Sequence, residues 1–312
     1  MRTHRPIDIA GTGFTVLDRV YADRRIDFEA LGGSCGNVLV SLAMLQRSVV
    51  PVLALGDDAV GQWLVDEFEQ AGADTAYISR RRELASPILA HELDTESGQH
   101  WFSFVCPETQ TDFPRYAPIE PADVERAEPV LESCSVFYAD RLTDTTLAAM
   151  ERAFRSGAIV YFEPSSVLDE AHFVHALRST TILKYSHDQI GLQVERLEVP
   201  RGLIAISTFG TKGLCVAQDK HQVWLDATPA PVLRDASGSG DMVSVGVIDW
   251  IVARTISATP NVDELLDGIV AGQRLASINC AYRGARGLFQ RHGARVVRSF
   301  LDGQDDLFGE VD

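Results

Sequence analysis

The sequence predicts an α/β fold, a parallel sheet covered by helices on both faces with a small β lid added. Three observations carry that expectation. From about residue 135, short apolar runs alternate with segments of helical period, the pattern of a covered parallel sheet. Two glycine clusters, at 32–36 and 238–240, each lead directly into an apolar helix. Residues 84–105 break this rhythm and read as a hairpin, which in a βα chain makes a small extra sheet.

The elements follow in order. Pro6 to Gly13 is a strand running into a glycine turn, and Asp18 is expected just past its end, where parallel sheets bind ligands. Gly11-x-Gly13-x-x-Val16 lacks the third glycine of a dinucleotide fingerprint. Gly32-Gly33 opens the buried helix of Val38 to Leu45, and Asn37 at its head suits either a cap or a ligand hydroxyl. Val49 to Leu55 is a strand, and the turn 56–61 feeds a helix over 62–70 that Gly72 ends. Residues 106–122, with four prolines, form an extended loop. Strands are expected at 135–139, 159–162, 181–184, 203–207, 214–217 and 222–225, with helices at 145–155, 170–177 and 241–254 and two more within 262–282. The acidic tail from Gly303 is expected to be loose.

Composition narrows the function. The chain has 312 residues, 46% hydrophobic and 23% charged, which suits one α/β domain over 1–312 with a large core. The lid would be the hairpin of about 84–105 with part of 14–30. A formal net charge of −16 and the absence of any Lys/Arg-rich run argue against nucleic-acid or anionic-membrane partners. Five scattered cysteines without a C-x-x-C pair suggest a reduced, cytoplasmic setting. Asp8 interrupts the only N-terminal apolar run, so no secretory signal is expected, and the apolar stretch after residue 242 is too short to span a bilayer. His172 and His175 share a helical spacing that a zinc pair can use, although a surface or core role is the commoner reading.

The chemistry centres on Arg234-Asp-Ala-Ser-Gly-Ser-Gly-Asp241 and the apolar helix after it. A helix opening on Gly238-Ser239-Gly240-Asp241 presents unpaired N–H groups and the positive end of its dipole, which is an anion site. A carboxylate at such a place would be repelled by an anion. One reaction uses both: a hydroxyl attacks a phosphate, the carboxylate takes the proton, and the N–H groups hold the phosphoryl charge. On these residues alone, a flexible turn with Asp241 as N-cap explains the stretch as well.

Four motifs in order raise the chemical reading. Gly32-Gly33-x-x-x-Asn37, Gly56-Asp57-Asp58-x-x-Gly61, Thr208-x-Gly210-x-x-Gly213 and Asp235-x-x-Gly238-x-Gly240-Asp241 together resemble the ribokinase-like (PfkB-type) carbohydrate and nucleoside kinases over about residues 6–295. The resemblance implies the parallel-sheet, three-layer fold of that family with a β lid, and ATP- and Mg²⁺-dependent phosphorylation of a sugar, sugar acid or nucleoside hydroxyl. It implies Asp241 as general base and Gly238, Ser239 and Gly240 as an anion hole. It implies Asp18, Gly32, Gly33 and Asn37 as the substrate site, and Thr208, Gly210, Gly213 and Gln273 around the nucleotide. It also implies a possible homodimer through the lid.

The sequence departs from the family pattern at three places. Ser239 stands where the family has Ala, and Ala236 where it has Thr. The N-x-x-E motif falls on Ser186-His187-Asp188-Gln189, and D-x-N reads Glu163-Pro164-Ser165, so no metal ligand is assigned by residue. Lys184 and Arg141, near strand ends, suit a phosphate or acidic substrate, or plain surface charge. The alternative function is a non-catalytic sugar- or nucleotide-binding pseudokinase on the same fold. The retained Asp241 favours the enzyme.

Overall fold

The computed structural model describes residues 6–22, 24–93 and 100–304. The main sheet has eight strands in the order β14-β13-β12-β11-β10-β9-β1-β4. They are β1 (Ile7–Thr12), β4 (Val49–Pro51), β9 (Cys134–Ala139), β10 (Ile159–Phe162), β11 (Ile182–Ser186), β12 (Ile204–Thr208), β13 (Gly213–Gln218) and β14 (His221–Asp226). Strands β4 through β12 run parallel, and β13 and β14 are added antiparallel at one edge.

Strand alternation divides the core. Ile9, Val136, Tyr138, Ile159 and Tyr161 face one hydrophobic cluster, and their neighbours Ala10, Phe137, Ala139, Val160 and Phe162 face the other. Both clusters are fully buried because helices lie over each face, as a parallel sheet requires. The first face carries α1 (Ser34–Met44), α2 (Ala59–Ala71), α8 (Ser239–Ala253), α9 (Val262–Asn279) and α10 (Gly287–Leu301). The second carries α3 (Pro121–Arg126), α4 (Glu128–Ser133), α5 (Asp144–Arg155), α6 (Glu170–Leu177) and the single turn α7 (Leu192–Val194), which continues a π-helical turn at His187–Gly191. Helix α8 is apolar all round and buried from Asp241 to Asp249, so it sits inside the helical layer rather than on its surface.

A second sheet has the order β3-β2-β7-β8, from β2 (Val16–Ala22), β3 (Arg25–Gly32), β7 (Ile88–Leu93) and β8 (His100–Ser103). The expected hairpin is therefore present as β7 and β8, with its turn, 94–99, outside the described residues. Its outer face holds a small core of Tyr21, Ala90 and Cys106 with Phe113 against them.

Several expectations are corrected. Val49 to Leu55 is two strands: Pro51 has no N–H to extend the ladder, and the chain turns so that β5 (Leu53–Gly56) pairs with β6 (Ile78–Arg81) in a separate sheet. Asp18 lies within strand β2, not past a strand end. Residues 262–282 hold one helix, α9, and the second helix of that region starts only at Gly287. Asn279 makes the turn between them, accepting from Leu288 N at 3.0 Å and donating to Ala285 O at 3.0 Å. The helix expected at 62–70 begins at Ala59, capped by Asp58, whose side chain accepts from Gly61 N. The loop of 106–122 ends at Pro121, which opens α3 in a capping box. His172 and His175 face Asp144 and Glu151 instead of each other's metal. The tail from 305 lies outside the described residues. No helix among the described residues is long and apolar enough to cross a membrane.

Candidate active site

A cavity of about 650 Å³ opens between the lid sheet and the start of α8. Asp18, Gly33, Asn37, Gly238, Ser239, Gly240 and Asp241 all reach it, although 223 positions separate the first from the last.

The loop before α8 is held from both sides. Asp235 accepts from Ser237 N and from Gly284 N, each at 2.8 Å, which ties the loop to the α9–α10 turn. Gly238 then takes φ 69, ψ 6 as the N-cap of α8, and a Cβ there would run into Ala285. Only glycine meets both demands. Ser239 N closes a turn onto Ala236 O at 3.2 Å, and the N–H groups of Gly238, Gly240 and Asp241 find no acceptor among the described residues. The free donors are thus shifted by one position from those expected, with Asp241 N in place of Ser239 N.

Asp241 is buried, and its Oδ2 accepts from Asn37 Nδ2 at 2.8 Å. Asn37 is therefore not a simple helix cap: it bridges α1 to α8 and leaves its own Oδ1 buried without a partner. Burial raises the Asp241 pKa to about 6, the charge of Glu163 adds to this, and the Asn37 bond and Lys184 oppose it. Asp18 is raised to about 7, first by burial and then by the charge of Asp241, with Arg286 opposing. Its Oδ1 is buried without a partner. Gly32 does not line the cavity, but a Cβ on it would overlap the Asp18 carboxylate, so this glycine makes room for that side chain.

Behind the loop lies a buried polar network that the sequence did not disclose. Lys184, 2% exposed, pairs with Glu163 Oε1, and its Nζ is 3.4 Å from where a Cβ on Gly240 would stand. Glu163 Oε2 accepts from Ser244 Oγ at 2.5 Å and Tyr138 Oη at 3.1 Å. Lys184 is thus no surface charge. Glu163 stands just past the end of β10, where side chains of a parallel sheet converge, and that was the available signal; Lys184 lies within β11, two residues before its end. Arg286 was also missed. It is buried, donates to Leu31 O at 2.9 Å and lies close to Asp18.

The expected nucleotide residues gather elsewhere. Thr208 ends β12, donating to Tyr185 O at 3.4 Å, and the turn 210–212 leads to Gly213, the first residue of β13. Gly213 pairs across the ladder with Asp226, whose carbonyl accepts from Gln273 Nε2 at 3.3 Å, so Gln273 and Gly213 meet at the same strand end. None of these four lines the cavity.

A divalent metal does not find a protein cage here. Among the described residues no group of three His, Cys, Asp or Glu side chains is gathered for one. Glu163, the carboxylate beside the loop, has both oxygens engaged, and Gln189 supplies only an amide. Mg²⁺ in phosphoryl-transfer sites is held largely by phosphates and water, and no step below is routed through it.

The site is thus a buried carboxylate beside free N–H donors at a helix start, under a β lid on a parallel sheet. Several solved structures of the same fold are described as sugar kinases. The chain superposes on a fructokinase with bound ATP from Xylella fastidiosa at TM-score 0.75, 20% identity, covering 95% of this chain and 98% of that one. It matches ribokinase from Giardia lamblia at TM-score 0.75, 16% identity and coverage of 95% and 99%. A sugar kinase from Pyrococcus horikoshii in complex with ATP gives 0.72, 18%, 93% and 99%. At these identities the likeness concerns the ribokinase-like fold. Among curated proteins, none matches the chain. The model of the pfkB family of carbohydrate kinases matches residues 28–290. The chain belongs to that family and is a small-molecule kinase.

Proposed function

We propose that this kinase transfers the γ-phosphoryl group of ATP to a hydroxymethyl group of a sugar, sugar acid or nucleoside, within one kinase domain closed by the lid. The observation that carries the reading is Asp241: a buried carboxylate, held by Asn37 at 2.8 Å, at the N-terminus of a helix with free N–H groups. Asp18 and Asn37, with Gly32 and Gly33 shaping their surroundings, would hold the acceptor hydroxyls. Thr208, Gly210, Gly213 and Gln273 would border the nucleotide, whose phosphates bring Mg²⁺ with them.

In the reaction, the acceptor oxygen forms a bond to the γ-phosphorus as the bond from phosphorus to the bridging oxygen of ADP breaks. The hydroxyl proton passes to Asp241. The N–H groups of the Gly238–Asp241 segment take up the equatorial charge, and a preorganised donor of this kind contributes about 10²–10³ in rate. Asp241 needs no high pKa, because the hydroxyl becomes acidic only as its oxygen bonds to phosphorus.

The test is ADP release from ATP and Mg²⁺ across a panel of sugars, sugar acids and nucleosides, beside Asp241→Asn. The wild type should turn over one class, and the variant should lose about 10²–10⁴ in kcat while still binding the acceptor. Turnover that survives Asp241→Asn would remove the base from this position. ATP binding without turnover on any class would remove the catalytic reading.

The proposal extends to a second copy of the chain meeting this one through the lid, where Trp101 and Ile26 are about half exposed on the edge strands β8 and β3. Unpaired strand edges with apolar side chains favour such pairing. Sedimentation should show a dimer that Trp101→Lys dissociates; a wild-type monomer at micromolar concentration would overturn this part.

A further inference from the structure

One wall of the cavity is built for an anion, although the chain as a whole carries −16. The wall is organised around Phe14. The Arg141 guanidinium lies over the Phe14 ring at 4.6 Å, the Tyr116 ring meets it edge-on at 6.1 Å, and Phe104 does so at 6.3 Å. Arg115 in turn lies over Phe104 at 5.0 Å. All five line the cavity that also holds Asp18 and Asp241.

The arginines of this wall can only donate, and its phenol can donate as well as accept. Tyr116 Oη is buried without a hydrogen-bond partner. Arg115 has no carboxylate partner among the described residues. Arg141 donates Nη1 to the Asp140 carbonyl at 2.9 Å and stands 3.5 Å from that residue's carboxylate. The Asp140 carboxylate itself is turned to the backbone, accepting from Phe14 N at 2.7 Å and Cys35 N at 3.1 Å. Arg141 therefore keeps most of its five donors for something else. Arg286, the third arginine of the cavity, is already spent on Leu31 O and on its neighbours Asp18 and Glu67.

A neutral polyol makes poorer use of this arrangement than an anion does. Hydroxyls use acceptors as well as donors, and the carboxylates among the cavity's lining residues, Asp18 and Asp241, belong to β2 and α8. Two guanidinium groups placed over aromatic rings, beside a phenol O–H without a partner, match an oxyanion, which takes hydrogen bonds and gives none. We infer that the acceptor carries a carboxylate or phosphate group that Arg141, Arg115 and Tyr116 receive, while its hydroxymethyl group lies toward Asp241. The inference rests on the kinase reading above and names its substrate class: a sugar acid or a sugar phosphate.

The test uses matched probes: glucose against gluconate, and fructose against fructose 6-phosphate. Calorimetry without ATP measures binding, and ADP release measures turnover, for the wild type, Arg141→Met and Arg115→Met. One anionic member should bind at least tenfold more tightly than its neutral partner. Each substitution should reduce that ratio by about 10- to 100-fold, the size of one or two charge-assisted hydrogen bonds. Arg115 is exposed, so its variant keeps the test valid if Arg141→Met does not fold. The carboxylate arm and the phosphate arm tell the two anions apart. Neutral members that bind as well as anionic ones, a ratio untouched by both variants, or no binding of either anion to the folded chain would each overturn the inference. Arginine-dependent anion binding without ADP release would keep it and remove the kinase reading. ADP release on neutral sugars alone would do the reverse.

Discussion

At the residue scale, the site works by making carboxylates uncomfortable. Asp241 and Asp18 are buried near each other, and their pKa values rise to about 6 and about 7 from the ordinary 3.8. If Asp241 must be ionised to take the proton, kcat should rise with pH through a limb near 6 and level off above it. A flat profile from pH 5 to 8 would contradict that. The same shift carries a stability cost with a definite sign. The folded state holds the Asp18 proton more tightly than the unfolded chain, so this contribution is full below about pH 3.8 and is lost as pH rises to about 7. Above pH 7 both states are ionised and the folded chain bears the whole penalty. Asp18→Asn should therefore gain stability at pH 8, on the order of a few kcal/mol and read as a higher melting temperature, and should bind the acceptor more weakly. A variant less stable at pH 8 would show that Asp18 is compensated by contacts its neighbours supply. None of this was legible in the sequence, where Asp18 was expected in a loop beyond β1 rather than on β2. The motif located the residue, but burial belongs to the fold.

At the scale of elements, the Lys184–Glu163 pair joins the middle of β11 to the residue just past β10, beneath the first turn of α8. Ser244, one turn into α8, completes it. Breaking a buried pair from one side leaves the other charge uncompensated, which costs about 3–5 kcal/mol. Lys184→Met should lose stability of that order. It should also move the acidic limb of kcat to higher pH, because Lys184 opposes and Glu163 favours protonation of Asp241. A merely structural lysine would lower the melting temperature and leave the limb in place. The elements themselves were largely readable: the βα alternation from Cys134 on, the two glycine-led helices and the hairpin all follow from period and turn chemistry. The misreadings have local causes. Pro51 ends a strand that apolar character alone would continue through Leu55, and the Asn279 turn separates two helices that an unbroken run of helix formers had placed closer together. Long-range meetings such as Asn37 with Asp241, or Arg141 with Phe14, leave no trace in spacing, since each partner is ordinary in its own segment.

For the whole molecule, the question is how a chain of net charge −16 collects an anionic nucleotide. On the proposed reading, the field of the protein repels ATP at long range, while the N–H groups at the start of α8 would attract it only within hydrogen-bonding distance. Salt separates the two effects. At 0.01 M ionic strength the screening length is roughly 30 Å, so the net charge acts across the approach; at 0.15 M it is about 8 Å and only the last contact is felt. Hydrogen bonds to a partly enclosed backbone donor are little screened over the same range. The KM for ATP should therefore fall several-fold between 0.01 and 0.15 M NaCl at constant free Mg²⁺, with kcat nearly unchanged. The acceptor, if it is an anion received by Arg115 and Arg141, approaches the same negative field but ends beside one exposed and one half-buried guanidinium, so its KM should fall less or rise. A KM for ATP that increases with salt in this range would mean that cationic side chains, and not the helix N-terminus, hold the phosphates. The place to look for them would then be Lys212 in the turn before β13, the cation that the T-x-G-x-x-G segment itself supplies.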